Sequence, residues 1–290
     1  MAKKKIDTPM DEFTTDLIKS INKDHGSKIA YNLDHDESPT HVKRWISTGS
    51  RQLDYICANR RNGGLPEGRI IEIFGPPSIG KSHIAIQIAR STQQMGGIIV
   101  YIDTENATSV ENLALLGVDI SKGFVYVDTH CTEEVLSIAE STIMKAKAMD
   151  KDVPITIIWD SVAASSPKAE LIGDYDNQIR TKIGVMYGDP TTTPGGKAIP
   201  FHSSVRIKLG AGQPIQDKDK NIIGINVSAK TIKNKVSAPF RTCNFEIHFG
   251  KGIVEHEQLF DVLRKHGQAS VSGKDICISG AGAWKHLTIS

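Results

Sequence analysis

Four cysteines are scattered over the 290 residues, at Cys57, Cys131, Cys243 and Cys277, and no two of them form a C-x-x-C pair. That spacing excludes a disulfide framework or a thiolate zinc site and points to reduced thiols. No apolar run is long enough to cross a bilayer. Met1-Ala2-Lys3-Lys4-Lys5 is basic, but no apolar stretch stands behind it, so it does not read as a secretory signal. The expectation is a cytoplasmic protein with no membrane partner. A net charge of +2 is too small to argue for nucleic acid by itself; any such contact must come from local patches. The remaining composition is ordinary for a globular protein, 39% apolar and 23% charged. The length suits one large α/β domain or a core with small appendages.

The most informative stretch is Gly75-Pro76-Pro77-Ser78-Ile79-Gly80-Lys81-Ser82, which fits the phosphate-binding loop G-x-x-x-x-G-K-[ST]. Arg69 to Phe74 before it is β-branched and apolar, as a buried strand requires. His83 to Met95 after it places Ile84, Ala85, Ile88 and Ala89 on one helical face. In a strand–loop–helix of this kind, glycines let backbone N–H groups wrap phosphates, and the helix N-terminus adds positive potential. Lys81 would neutralise β- and γ-phosphate oxygens, and the Ser82 hydroxyl would ligate Mg²⁺. ATP and Mg²⁺ are therefore the expected cofactors.

Two further strands end in acids. Ile98 to Asp103 leads into Asp103-Thr104-Glu105, and a carboxylate just past the end of a parallel strand faces the ligand crevice. Glu105 is a candidate general base for water attack on the γ-phosphate, or else a solvated loop acid. Ile155 to Asp160 has the form of a strand whose terminal aspartate holds Mg²⁺ through water. Ser109 to Leu116 and Thr132 to Met149 read as helices, the latter with Thr132 as N-cap; Phe124 to Asp128, Ile222 to Lys235 and Phe245 to Phe249 read as strands.

The pieces Ser47-Thr48-Gly49-Ser50 with Leu53-Asp54, Gly63-Gly64-Leu65-Pro66 with Gly68-Arg69-Ile70, the phosphate loop and Tyr101-Ile102-Asp103-Thr104-Glu105 occur in an order and spacing that resembles the RecA family of recombination ATPases. Asp160-Ser161-Val162-Ala163-Ala164 resembles it too. The resemblance implies a RecA-like P-loop α/β fold with a mostly parallel central sheet over residues 46–250. Residues 1–45 would form an N-terminal extension with a short amphipathic segment at Phe13 to Ile21, and residues 251–290 a short C-terminal remnant. It implies ATP hydrolysis, binding of single- and double-stranded DNA, self-association into a filament or ring, and strand exchange in DNA repair. Glu105 keeps the role of base. Gln178, within Asn177-Gln178-Ile179-Arg180, would sense the γ-phosphate. The Gly-, Pro- and Thr-rich stretch from Lys182 to Arg206 reads as a long loop, which the family uses to bind DNA. Gly188, Thr191, Thr192, Thr193, Gly195 and Gly196, with the basic residues Arg180, Lys182, Lys197 and Arg206, would contact phosphates there. Phe201, Lys233 and Lys235 would touch the neighbouring subunit. Glu257 to Arg264 resembles a short family helix.

Two departures stand out. The family usually places an aromatic residue near Asn112 to stack on adenine. More importantly, no apolar run precedes Asn177, where the family has a helix and a buried parallel strand. A parallel crossover alone takes about a dozen residues, and Ser161 to Asp176 is too short to hold both the crossover and the strand. The chain is expected to lack that segment. The alternatives are a helicase-type RecA-like motor without strand exchange, or a catalytically silent remnant that binds DNA or a partner. No lid or acceptor-site signature favours a P-loop kinase.

Overall fold

The structure is a computed structural model and describes residues 9–33, 38, 40–172, 198–254, 269–272, 275–280 and 283–288. The chain divides into two compact units, Met1–Lys43 and Arg44–Ser290.

The first unit contains helix α1, Pro9–Asp24, with Asp11 and Glu12 in its first turn and Lys23 in its last, both favourable to the helix dipole. Its amphipathic character is as the sequence predicts, although Phe13 and Leu17 are exposed. Asn22 fastens the chain beyond the helix: its Oδ1 accepts the N–H groups of Ile29 and Ala30, each at 2.8 Å, and its Nδ2 donates to the Ala30 carbonyl.

In the second unit the chain forms β1 (Trp45–Ile46), α2 (Arg51–Ala58), β2 (Leu65–Pro66), β3 (Ile71–Phe74), α3 (Lys81–Gln94), β4 (Ile98–Asp103), α4 (Val110–Leu115), β5 (Phe124–Val127), α5 (Thr132–Met149) and β6 (Ile155–Asp160). After a 3₁₀ turn at Val162–Ala164 come α6 (Lys168–Ile172), α7 (Ala198–His202), β7 (Val205–Gln216), β8 (Ile222–Asn234), β9 (Thr242–His248) and β10 (Gly252–Ile253). β11 (Ala269–Ser272), β12 (Asp275–Gly280) and β13 (Ala283–Thr288) form an antiparallel meander.

The parallel architecture is present, but in two pieces. One sheet has the order β5-β4-β6, all parallel, and the other runs β10-β9-β8-β7-β3, with β3 parallel to β7 and the rest antiparallel. Among the described residues, β6 pairs only with β4 and β3 only with β7. Helix α3 belongs to both pieces. Its Ile84 and Ile88 join the cluster of Val205, Ile207, Leu209, Phe245 and Ile247, while Ile86 and Ala89 join that of Ile99, Tyr101 and Ile158. The hydroxyls of Thr92 on α3 and Thr156 on β6 lie 2.6 Å apart. On the opposite face of the three-stranded sheet, Val100 and Ile102 pack with Val135 of α5, against which Ile157 and Trp159 are half-buried. The alternation of these side chains is the period-2 signature of strands covered on both faces.

Two sequence expectations need correction. The N-cap of α5 is Cys131, which makes no side-chain capping bond, and Thr132 is already helical. The stretch expected as loop up to Arg206 includes α7 and the start of β7. The strand expected from Ile222 to Lys235 is present as β8, joined antiparallel to that long β7 in a bulged hairpin. The expected helix at Glu257 to Arg264 lies outside the described residues.

Candidate functional site

The turn-rich piece before the phosphate loop is structural. Asp54 is buried and accepts the Ser47 hydroxyl at 2.6 Å and both the N–H and the hydroxyl of Thr48 at 2.7 Å. Ser50 caps α2 by accepting the Leu53 N–H. Burial pushes the Asp54 carboxyl up, and these donors only partly offset it.

Gly75 to Gly80 connects β3 to the first turn of α3. Gly80, the N-cap, has φ +91°, a left-handed conformation that a side chain would strain, and a Cβ there would stand 2.3 Å from Ile247 Cδ1. Ile79 is buried in the same core cluster and anchors the loop. The Lys81 ammonium donates to the carbonyls of Gly75 at 3.2 Å and Pro76 at 2.7 Å, so it lies folded over its own loop. Ser82 is exposed at the first turn of a 14-residue helix.

β4 and β6 run in register, with Ile102 opposite Trp159 and Asp103 opposite Asp160. Equal strand ends therefore deliver two carboxylates side by side. Ser82, Asp103, Glu105, Thr108, Asn112 and Asp160 line one small cleft together with Ile86 and Ala107. The structure thus brings Ser82, Glu105 and Asp160 together, and adds Asp103, Thr108 and Asn112 to them.

The acids are individually organised. Tyr101 Oη donates to Asp160 Oδ2 at 2.8 Å. Burial, and after it the Asp160 charge, pushes the Tyr101 phenol up, so it stays a protonated donor. Ser161 Oγ donates to Glu105 Oε1. Thr104 locks the two strand ends together: its N–H donates to the Asp160 carbonyl at 2.9 Å, its hydroxyl donates to the Ser161 carbonyl at 2.6 Å, and the Ser161 N–H donates back to that hydroxyl. Asp103 accepts the N–H groups of Glu105, Ala107 and Thr108 and the Tyr126 hydroxyl. Burial acts to raise its pKa, but the N–H donors outweigh burial and hold the carboxyl below the usual range.

A P-loop lysine, a helix N-terminus and a serine hydroxyl on one side, with an aspartate and a glutamate on the other, fit a nucleotide phosphate chain and Mg²⁺. Among the described residues no cluster of three or more His, Cys, Asp or Glu could hold a metal unaided. Mg²⁺ takes one or two protein ligands and completes its shell with phosphates and water, and the Ser82 hydroxyl and the Asp160 carboxylate line the same cleft.

The other predicted residues lie elsewhere. Arg206 is paired across the β3–β7 ladder with the buried Glu72, and its guanidinium stacks over Phe74 at 4.9 Å. Its charge is committed inside the protein, where the sequence suggested a phosphate contact. Lys233 Nζ donates at 2.8 Å to the carbonyls of Pro200 and Phe201, the ring of Phe201 is exposed, and Lys235 N–H donates to Ser204. The three residues expected at a subunit contact are therefore neighbours. Desolvation, and after it Lys235 and Arg206, lowers the Lys233 pKa. Gln178, Arg180, Lys182, Gly188, Thr191, Thr192, Thr193, Gly195, Gly196 and Lys197 lie outside the described residues.

Fold and site together define an α/β P-loop protein with a RecA-like ATPase fold. The model of the RecA N-terminal domain family matches residues 13–177 and 174–254, and the chain belongs to the RecA family. It is 36% identical to a Protein RecA of Chlorobaculum tepidum over 288 aligned residues, covering 88% of this chain and 80% of the relative. It is 38% identical to a Protein RecA of Ruminococcus albus (248 residues, 74% and 60%) and to one of Bacteroides thetaiotaomicron (260 residues, 79% and 76%). The alignments carry a second message. The 288 positions draw on 88% of 290 residues, about 255, which leaves about 33 positions of the Chlorobaculum protein with nothing opposite them here. For Ruminococcus, 248 positions against 74% of 290 leave the same about 33. The family match falls into two pieces that overlap at 174–177, beside the stretch before Asn177 that has no apolar run for a core strand.

Proposed function

We propose that this chain binds ATP with Mg²⁺ in the cleft between the phosphate loop and the ends of β4 and β6, and hydrolyses it in response to DNA as part of homologous strand exchange. The observation that carries this reading is the convergence of Ser82, Glu105 and Asp160 on one cleft at the N-terminus of α3. Gly75 to Ser82 wrap the phosphates with backbone N–H groups, and Lys81 leaves its two loop carbonyls to meet phosphate oxygens. Ser82 and Asp160 hold Mg²⁺, the aspartate kept in place by Tyr101. Bound Mg²⁺ neutralises charge that develops on the phosphates. Glu105, oriented by Ser161, takes the proton of the attacking water. Gln178 couples the γ-phosphate to DNA, which the residues from Arg180 to Lys197 contact, and Phe201, Lys233 and Lys235 meet a neighbouring subunit in a filament or ring.

The test is ATP turnover by the purified protein with and without single-stranded DNA, at several salt concentrations. Turnover stimulated by DNA, with log affinity falling linearly against log salt, supports the reading. Turnover stimulated by DNA without pairing of homologous strands favours the helicase-type motor. A second reading, a silent remnant that binds without turnover, is favoured by one observation: among the described residues no strand joins β6 to β3.

A further inference from the structure

The edges of β6 and β3 that face away from β4 and β7 carry no strand among the described residues. Both edges belong to strands of one direction, because the C-terminal ends of β6 and β3 feed the same cleft, through Asp160 and through the loop to Ser82. Both lie against the same helix, α3. A single parallel strand placed between them would find N–H and C=O partners on either side. The side chains on both edges are apolar yet only half-buried: Ile71, Ile73 and Phe74 on β3, Ile155, Ile157 and Trp159 on β6. Above β6, α5 leaves Leu136, Ile143 and Met144 exposed, three residues at i, i+7 and i+8 that form one stripe. Among the described residues the seam therefore holds no strand, and no helix covers that stripe of α5. The Chlorobaculum and Ruminococcus proteins each have about 33 aligned positions that this chain does not, and the family match falls into two pieces that meet at 174–177. That length holds a helix of about 20 residues and a strand of about six.

We propose that the seam between β6 and β3 is a docking site for a separate polypeptide, an amphipathic helix leading into an apolar strand, which completes the sheet in trans. The occupant has the chemistry of the segment that the RecA relatives carry and this chain lacks. The strand supplies two hydrogen-bonded ladders, and the helix covers Leu136, Ile143 and Met144. The inference rests on strand pairing and family membership and does not depend on ATP turnover.

The experiment uses the full chain and a fluorescein-labelled synthetic peptide with the sequence of the Chlorobaculum tepidum protein opposite the break. Anisotropy titration should show saturable binding. Hydrogen exchange should slow in Ile71–Phe74 and Ile155–Asp160 when the peptide is added. A peptide with proline in the centre of its strand should bind at least about tenfold more weakly, since proline removes a ladder donor and blocks a central position. Leu136→Ser with Ile143→Ser, both at exposed sites, should also weaken binding. Absence of saturable binding overturns the proposal, as does equal binding of the proline peptide or protection confined to other strands. Amides of β3 and β6 already protected in the free chain, by its own residues or by a second copy, overturn it too. Nucleotide binding, measured separately with a fluorescent ATP analogue, reports on the phosphate loop alone and so distinguishes failure of this proposal from failure of the ATPase reading.

Discussion

β4 and its counterparts β3 and β6 are built from the same kind of residue and run parallel to their partners, yet their burial differs. From Ile99 to Asp103 every residue of β4 is at most 2% exposed. In β6 only Ile158 is buried, and in β3 only Glu72. The difference tracks the neighbours: β4 has β5 on one edge and β6 on the other, while β3 and β6 have one partner each among the described residues. Burial in a parallel sheet thus depends on flanking strands and on the layers they support, more than on how apolar the strand itself is. The proposed nucleotide site stands on the less protected pair. β3 presents the phosphate loop and β6 presents Asp160, while the fully buried β4 leads to Glu105. The two half-sites are joined through α3, and the Thr104 bonds hold the ends of β4 and β6 together within the second.

The largest effects test that division of labour. Lys81→Ala removes the phosphate-loop cation of the β3–α3 half-site without touching any of the three core clusters, since its bonds are to loop carbonyls. ATP turnover should fall to background while the unfolding transition stays in place. Turnover equal to the parent's means that the phosphates bind elsewhere. Glu105→Gln acts on the other half-site. ATP binding should persist and hydrolysis should slow by about 10²–10⁴-fold, the usual contribution of a general base. A drop smaller than about threefold assigns the base to another residue.

Matched substitutions within the sheet measure the contrast directly. Ile102 of β4 and Ile157 of β6 face the same α5 layer, the first fully buried and the second half-buried. Ile102→Ala should cost about 2–5 kcal/mol in urea unfolding, as removal of a large core side chain does. Ile157→Ala should cost clearly less. Equal costs would show that β6 is as well packed as β4 and that its exposure has no energetic meaning. With the complementing peptide bound, the Ile157→Ala cost should approach that of Ile102→Ala.

Much of this arrangement is legible in the sequence because it is local. The phosphate loop is set by glycines and a lysine at fixed spacing, and the ends of β4, β6 and α5 fall where the apolar pattern stops. The gap before Asn177 is legible as an absence, because no run of β-branched residues stands where a parallel core strand is needed. The features that sequence reasoning missed are lateral. Tyr101 holding Asp160, Ser161 holding Glu105, and Asp103 beside Asp160 all depend on the register between β4 and β6. Two six-residue strands each ending in aspartate are a usable signal for the last of these. Arg206 reads as a free cation in the sequence because Glu72 lies far away along the chain, although the alternation of Val205, Ile207 and Leu209 marks a strand with Arg206 between its inward residues. The Gly- and Pro-rich composition before it masks where that strand begins.

The smallest effect expected is a change in the acid limb of stability, and it contrasts an aspartate from each half. Asp103 has its folded-state pKa depressed, because its N–H donors favour the carboxylate more than burial disfavours it. The folded protein therefore releases this proton more readily than the unfolded chain. Its stabilisation is present above the ordinary aspartate range and disappears as pH falls through the folded value. Asp54, beside the phosphate-loop half, is shifted the other way by burial. The folded state holds that proton more tightly, so acidification through the same range offsets part of the loss. Asp103→Asn keeps an acceptor for the N–H groups and removes the charge, which isolates the first contribution. Urea unfolding at about pH 7, 5 and 3.5 should show the parent losing more stability than the variant over the acid interval, with the two curves converging as pH falls. Parallel curves would mean that the N–H groups of Glu105, Ala107 and Thr108 do not favour the charged form of Asp103, and that the loop carrying Glu105 is held by shape alone.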